Sequence, residues 1–414
     1  MIGVAVTTTP ARETGPSAVA RPAPTAPAAR PFRRDLQGLR AVAVLLVVAQ
    51  HAGLPGVTGG SVGVDVFFVL SGFLITAQLL GELERTGRVS LHRFYARRMT
   101  RLVPAATVVV LGTLAAAWHW MPALQRAGHP GAQPEPAPLQ HLWSLAVAGQ
   151  FYLLWPVLLL IASMAWANRG RPSARVACVV LAMLCAASLT LCVTLTTTDQ
   201  PWASFGIHTR AWEFGAGALV ALGARKAARL APALATTMTW TGLAAIVGAA
   251  PAATEATVFP GYAAVLPVAG AVLVVAGGCG APRWGAERLL RHQVFQEIGR
   301  VSYGWYLWHW PVLVLAPYAL GHQPGVPGRV ALVLAALVPA SMSLATVEDP
   351  IRCHRVFRGG TGAGLMLGTG LTACAAGVAL LLLQASAPIP RAATDGAAPV
   401  VQHTPGRPSA GGRP

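Results

Sequence analysis

The sequence predicts an all-α, polytopic integral membrane protein with ten or eleven transmembrane helices. Three observations predict it. Of the 414 residues, 54% are apolar and only 11% are charged, where a soluble domain carries about 25% charged residues. Apolar runs recur at the roughly 20-residue length that a bilayer crossing needs. The basic residues fall in every second loop, as the positive-inside rule requires. The first observation excludes an ordinary soluble or disordered chain, because so few polar groups could not cover the surface. The third accounts for the net charge of +17 and needs no nucleic-acid partner.

Residues 1–31 are rich in Ala, Pro and Thr, without apolar periodicity, and read as a disordered cytoplasmic tail. No compact apolar stretch follows a basic start, so a cleaved signal peptide is not expected. Spans are expected near 36–53, 61–81, 102–121, 141–165, 176–196, 209–223, 233–252, 262–280, 298–317, 329–347 and 362–384. The sixth is short enough to be a broken or tilted element. Ten spans result if 362–384 is dropped, although it is apolar enough to cross.

With the N-terminus inside, the inner segments hold Arg30, Arg33 and Arg34, then Arg93, Arg97, Arg98 and Arg101. They continue with Arg169, Arg171 and Arg175, Arg225 and Lys226, Arg283 and Arg288, and Arg352 and Arg355. The outer loops hold only Arg126 and Arg329, with Arg210 at a span end. Residues 32–355 read as the main transmembrane domain, 356–385 as an additional C-terminal helix, and 386–414 as a disordered extracytoplasmic tail.

Ionisable residues at membrane depth are costly and usually functional. The first span has Arg40 and His51. Eleven residues bring the second back to within about 20° of the first and about 16 Å along the axis. One helix face thus offers a cation on the inner side and an imidazole in the outer half. The structural alternative is an inward-snorkelling Arg and a His satisfied by a neighbouring helix. Asp65, near the outer end of the second span, could approach His51 and fix its tautomer, or cap its own helix. Ser71 and Gly72 suit close helix packing, and Ser71 has no visible base that would make it a nucleophile. Arg98 and Arg101 are i,i+3 at the expected start of the third helix, where guanidinium groups suit phosphate; ordinary positive-inside charge is the alternative. Arg210 and Glu213 are i,i+3 and are expected to pair. His309, between two tryptophans in an apolar helix, is expected to be a hydrogen-bonded packing residue rather than a catalyst. Cys178, Cys185 and Cys192 share one helix face as small packing residues, and no histidine–cysteine cluster has metal-ligand spacing.

Together these segments resemble the membrane-bound acyltransferase 3 family, bacterial O-acyltransferases of surface glycans and related acceptors. Arg40 and His51 match the family's Arg-x10-His motif. Asp65 to Gly72 match Asp-Phe-Phe-x-x-Ser-Gly with Val66 as an extra spacer. Phe94 to Pro104 match Phe-x-x-Arg-Arg-x-x-Arg-Leu-x-Pro. His141-Leu142-Trp143-Ser144, then Gln150-Phe151-Tyr152, match the fourth-span signature, and Arg210-Ala211-Trp212-Glu213 the Arg-x-Trp-Glu segment. Ser302-Tyr303, Tyr306-Leu307, His309 and Pro311 match Ser-Tyr-x-x-Tyr-Leu-x-His-x-Pro. Glu348, Pro350 and Arg352 match the Glu-x-Pro-x-Arg ending. Two departures stand out. Ala148 and Gly149 replace the two glutamates of the fourth-span signature, and the stretch between Pro122 and His141 is short.

The resemblance implies an enzyme of the bacterial plasma membrane, with the N-terminus cytoplasmic and the C-terminus extracytoplasmic. It implies transfer of an acyl group, by default acetyl, from cytoplasmic acyl-coenzyme A to a hydroxyl of an extracytoplasmic carbohydrate or small molecule. No permanently bound cofactor or metal is implied; the acyl-coenzyme A is a co-substrate, and the partners are the bilayer, the donor and the acceptor. His51 would be the general base and Asp65 its orienter. Arg98, Arg101 and Arg40 would hold donor phosphates. Ser71, Arg210, Glu213, Ser302, Tyr303, His309, Glu348 and Arg352 would support them, with Glu348 a structural or donor-side partner of Arg352. The alternatives are a multi-span transporter or flippase-like protein for a lipid-linked sugar, and a catalytically degenerate scaffold, the latter motivated by Ala148 and Gly149. After the last span the tail is too short for the esterase-like domain that some relatives carry there.

Overall fold

The computed structural model describes residues 32–121, 136–169, 174–252, 257 and 259–386. The expected tails, and most of the short segment between Pro122 and His141, lie outside the described residues. The helical body begins at Arg34. Each of the eleven expected spans coincides with a helical segment. These are α1 (Arg34–His51), α2 (Val62–Thr86), α3 (Leu91–Trp120), α4 (Trp143–Arg169), α5 (Ala174–Thr198) and α6 (Ile207–Ala227), then α7 (Pro232–Ala252), α8 (Val265–Gly277), α9 (Gln293–Leu320), α10 (Val326–Cys353) and α11 (Thr361–Ser386). No strand occurs among the described residues. α6 is one continuous helix, so the break considered for the sixth span is absent.

Eight helical segments among the described residues are long and apolar enough to cross a membrane: α2, α3, α4, α5, α7, α8 with its flanking turns, α10 and α11. The other three are α1, α6 and α9. They carry Arg40 and His51, Arg210 and Glu213, and His309. The residues that the sequence singled out are among the polar ones that lower their hydropathy. A polar helix is tolerated at membrane depth when protein rather than lipid surrounds it. α1 meets this condition, since Leu36, Leu39, Val42, Val44, Val47 and Val48 on all its sides are buried.

Close approach at glycine sets the layout. A Cβ on Gly72 of α2 would run into the carbonyl of Phe214 on α6, and one on Gly299 of α9 would run into that of Gln37 on α1. Small residues bring backbones together where lipid supplies no hydrophobic drive. The packing role expected of Gly72 is thus seen, with α6 as its neighbour. The remaining helices cover this centre. α8 packs on α7 and α2, and α11 lies on α3 through Gly364 and Gly368 against Ala96, Thr100 and Met99.

Two helices depart from expectation. α3 starts at Leu91, eleven residues before the expected span, because the amphipathic stretch Leu91–Arg101 buries Phe94, Ala96 and Thr100. Arg98 and Arg101 therefore lie about two and about three turns inside the helix and not at its N-terminus. α10 is interrupted by a π-helical segment at Leu344–Glu348. The extra residue in that turn rotates the helix beyond it, and Glu348 is buried there.

Candidate active site

The site is built on α1, whose two ends face two different environments. At the arginine-rich end a cavity of about 510 Å³ opens between α1, α2, α3, α4, α9 and α10. Arg40, Arg98, Arg101, Arg300, Arg352 and Glu348 line it at this end. Glu348 Oε2 accepts a hydrogen bond from Arg352 Nη2 at 2.6 Å, the pairing expected from sequence, and Arg300 is paired with Glu297 at 3.0 Å. Arg40, Arg98 and Arg101 form no ion pair with the described residues. The Arg98 guanidinium lies 5.5 Å from the Phe94 ring centre and 5.2 Å from that of Tyr152, aromatic faces that hold a cation without neutralising it. Three guanidinium groups without an ion pair among the described residues, in one cavity, make a site for an anion with several acceptor oxygens.

The deeper walls are largely apolar, with Val64, Phe67, Phe68, Leu70 and Leu145. Ser71 lines this part, with its Oγ 3.1 Å from the hydroxyl of Tyr152 and no base against it. Ser302 and Tyr303 also line the cavity. Each spends its hydroxyl on a carbonyl, Ser302 on Gly299 at 2.9 Å and Tyr303 on Leu102 at 2.8 Å. Ala148 faces the cavity, whereas a Cβ on Gly149 would meet nothing. A glutamate at the first position would enter the cavity; one at the second would not. At the far end stand Ser144 and Tyr306, 2.7 Å apart through their hydroxyls, and the Tyr306 hydroxyl also donates to the His141 carbonyl at 2.8 Å.

Beyond Tyr306 lies the second environment, at the other end of α1. His51 Nδ1 is 2.9 Å from His309 Nε2, and the two rings are within 16° of parallel. His309 is fully buried, and its Nδ1 lies 2.6 Å from the Tyr306 carbonyl oxygen and 3.2 Å from that of Trp305. Trp310 packs on His51 with ring centres 4.7 Å apart. His141 stands edge-on to His309 at 5.7 Å, and its Nε2–H donates to the Leu307 carbonyl at 3.1 Å. That carbonyl is available because Pro311, four residues on, has no N–H to occupy it. The sequence reading missed His141, Tyr306, Trp310 and Ser144 as members of the site. A proline four residues after a carbonyl in an apolar helix, with a lone histidine at the start of another apolar run, was the signal available.

Asp65 is elsewhere. Its Oδ1 accepts from Arg210 Nη1 at 3.1 Å, and the same nitrogen donates to Glu213 Oε1 at 2.7 Å. All three side chains are essentially inaccessible. Phe259 and Trp143 cover the guanidinium, with ring centres 5.4 and 5.6 Å away. The expected contact of Asp65 with His51 is not formed, because α6 packs directly on α2 and presents Arg210 to the carboxylate. Nor does Asp65 cap α2, whose N-cap position is Ser61. The pairing expected of Arg210 and Glu213 is present and gains Asp65 as a third member.

Of the residues the sequence put forward, Arg40, Arg98, Arg101, Ser71, Ser302, Tyr303, Glu348 and Arg352 share the cavity. His51 and His309 form the imidazole pair, and Asp65, Arg210 and Glu213 form a separate buried triad. No group of three or more metal-ligating side chains occurs among the described residues.

Comparison with known proteins bears on the family of the chain. Residues 33–346 match the family described as "Acyltransferase domain". The chain is 28% identical over 355 residues to the "Peptidoglycan O-acetyltransferase OatA" of Listeria monocytogenes serovar 1/2a, a match covering 78% of this chain and 56% of the relative. It is 28% identical over 348 residues to the "O-acetyltransferase OatA" of Staphylococcus aureus strain NCTC 8325, covering 77% of this chain and 57% of the relative. The chain thus spans little more than half the length of these relatives. No solved structure matches it.

Proposed function

This chain belongs to the acyltransferase 3 family of membrane proteins, and from that membership we propose that it is an O-acyltransferase working across the bilayer. It takes an acyl group, by default acetyl, from acyl-coenzyme A on the cytoplasmic side. It passes the group to a hydroxyl of an extracytoplasmic carbohydrate, a class supported by the names of the relatives. The observation that carries the reading is the two-ended α1: Arg40 sits in the cationic cavity, and His51 stands about three helical turns away, about 16 Å along the axis, in an imidazole pair. An extended pantetheine arm is comparable in length to that separation. The alternation of basic loops supports placing the cavity mouth inside and His51 in the outer half, with the N-terminus cytoplasmic.

Arg98, Arg101 and Arg40 bind the donor phosphates, and the apolar walls take the arm. His51 acts as general base. It accepts the proton of the acceptor hydroxyl as that oxygen bonds to the thioester carbonyl carbon. The carbon–sulfur bond breaks, and the departing thiolate takes the proton back from His51, so atoms and charge balance. Family membership favours this reading over transport of a lipid-linked sugar or a silent scaffold.

The test uses membranes carrying the wild-type protein or His51→Ala, supplied with labelled acetyl-coenzyme A and envelope glycans. Label transfer to glycan that disappears in His51→Ala is the expected result. Equal transfer with both proteins overturns the role of His51, and no transfer by intact wild-type protein overturns the donor assignment.

A further inference from the structure

We propose that His309 is a positioning residue that dictates which nitrogen of His51 is free to act as the base. This rests on the acyl-transfer reading and deepens it. A carbonyl oxygen only accepts hydrogen bonds, so the proton on the His309 side facing the Tyr306 and Trp305 carbonyls must sit on Nδ1. In a neutral imidazole the other nitrogen is then a lone pair. His309 Nε2 is therefore an acceptor, and its partner 2.9 Å away, His51 Nδ1, must be the donor. With the His51 proton committed to Nδ1, Nε2 of His51 is left as the lone pair. Two helical carbonyls thus set the tautomer of a ring on another helix, through a second ring.

The neutral form of the pair follows from its surroundings. No carboxylate bonds to either ring among the described residues, and the nearest sequence candidate, Asp65, is engaged by Arg210. An imidazolium held here without a counter-charge would be expensive. The arrangement is also rigid. His309 is fully buried, His141 stands edge-on to it, and Trp310 packs on the His51 ring. His309 neither gains nor loses a proton during transfer. It keeps Nδ1–H on the carbonyls, and its Nε2 accepts a stronger, charge-assisted bond while His51 holds the acceptor's proton.

The test compares His309→Phe and His309→Gln in the full chain, in membranes. Phenylalanine fills the space but accepts nothing. A glutamine amide can accept from His51 through Oε1 and donate to a carbonyl through Nε2. Expected are a fall in kcat of at least about 100-fold for His309→Phe, the scale of a lost or misdirected base, with donor KM unchanged within about 2-fold. His309→Gln is expected to retain at least about 10-fold more activity than His309→Phe. A role in packing alone would favour the apolar ring or treat the two alike, and either outcome overturns the proposal.

A second measurement needs no variant. Haloacetate alkylation of the wild-type protein, followed by residue-level analysis, reads out the free nitrogen of His51 directly. Carboxymethylation at Nε2 is expected, and the Nδ1 product overturns the proposal even if both variants unfold. Transfer that is unaffected by His51→Ala would instead overturn the role of His51 as the base, on which this inference rests, whatever nitrogen is alkylated.

Discussion

Arg210 and Asp65, on helices 145 positions apart in sequence, meet at 3.1 Å in the interior, and the same guanidinium nitrogen holds Glu213 at 2.7 Å. One cation thus serves two carboxylates, and none of the three reaches solvent. Removing one partner of a buried ion pair is strongly destabilising, because the remaining charge loses its compensation. Arg210→Met is therefore expected to destabilise the protein by about 3–5 kcal/mol. Asp65→Asn, which keeps a hydrogen-bonding shape, should lose about 1–3 kcal/mol. Thermal unfolding in detergent ranks the two, and equal melting temperatures for Arg210→Met and wild type would remove the triad from the list of structural elements.

The cavity mouth makes a different prediction. Arg98 and Arg101 face it without an ion pair among the described residues. If they hold donor phosphates, each charge-assisted bond is worth about 1.5–3 kcal/mol, or about 10–100-fold in affinity. Arg98→Ala and Arg101→Ala should raise the KM for acetyl-coenzyme A by that factor and leave kcat nearly unchanged. The effect should shrink as ionic strength rises. A drop in kcat at constant KM would assign these residues elsewhere.

Gly72 and Gly149 form a matched pair for testing helix contacts. A side chain at Gly72 meets the Phe214 backbone, while one at Gly149 meets open space. Gly72→Val should cost at least about 1–3 kcal/mol through overpacking. Gly149→Ala should be neutral or slightly stabilising, since alanine is the better helix former by about 1 kcal/mol. Melting curves of the two variants decide the matter, and a tolerated valine at 72 would mean that α2 and α6 separate easily.

Pro311 links chain chemistry to the site. It frees the Leu307 carbonyl that accepts His141 Nε2–H at 3.1 Å. Pro311→Ala supplies an N–H that competes for that oxygen. The helix should become more stable, since an interior proline is unfavourable by about 3 kcal/mol. The proposed acyl transfer should nevertheless fall about 5-fold, the equivalent of one net hydrogen bond of about 1 kcal/mol. Unchanged turnover would show that His141 orientation is immaterial to transfer.

Much of this architecture was legible from hydropathy and charge. All eleven helical segments follow the apolar runs, because a bilayer crossing imposes a length and a composition on each. Local spacing also gave the pair Arg210 with Glu213, and the family resemblance gave Glu348 with Arg352. The start of α3 was hidden because Leu91–Arg101 is too polar to resemble a span, although its Phe94 face is buried. What sequence could not supply was partnership between helices. Asp65 and His51 sit on adjacent, antiparallel segments, so proximity in the chain suggested a contact. The partners they take, Arg210 and His309, lie 145 and 258 positions away. His309 was read as a packing residue because its alternative role depends on a ring from another helix.

The three polar helices have a consequence for how the protein is made. α1 leaves the ribosome before α6 and α9, yet it carries Arg40 and His51, and its imidazole partner on α9 emerges only some 258 residues later. At about 5–20 residues per second, α1 waits roughly 10–50 seconds in the bilayer or at the insertion machinery before His309 exists. During that interval its charge must be sheltered by α2 and by water, before α9 is there to cover it. α6, with Arg210, arrives before α9 and can settle Asp65 first. The imidazole pair is thus completed late in synthesis, after most of the apolar wall is already in place.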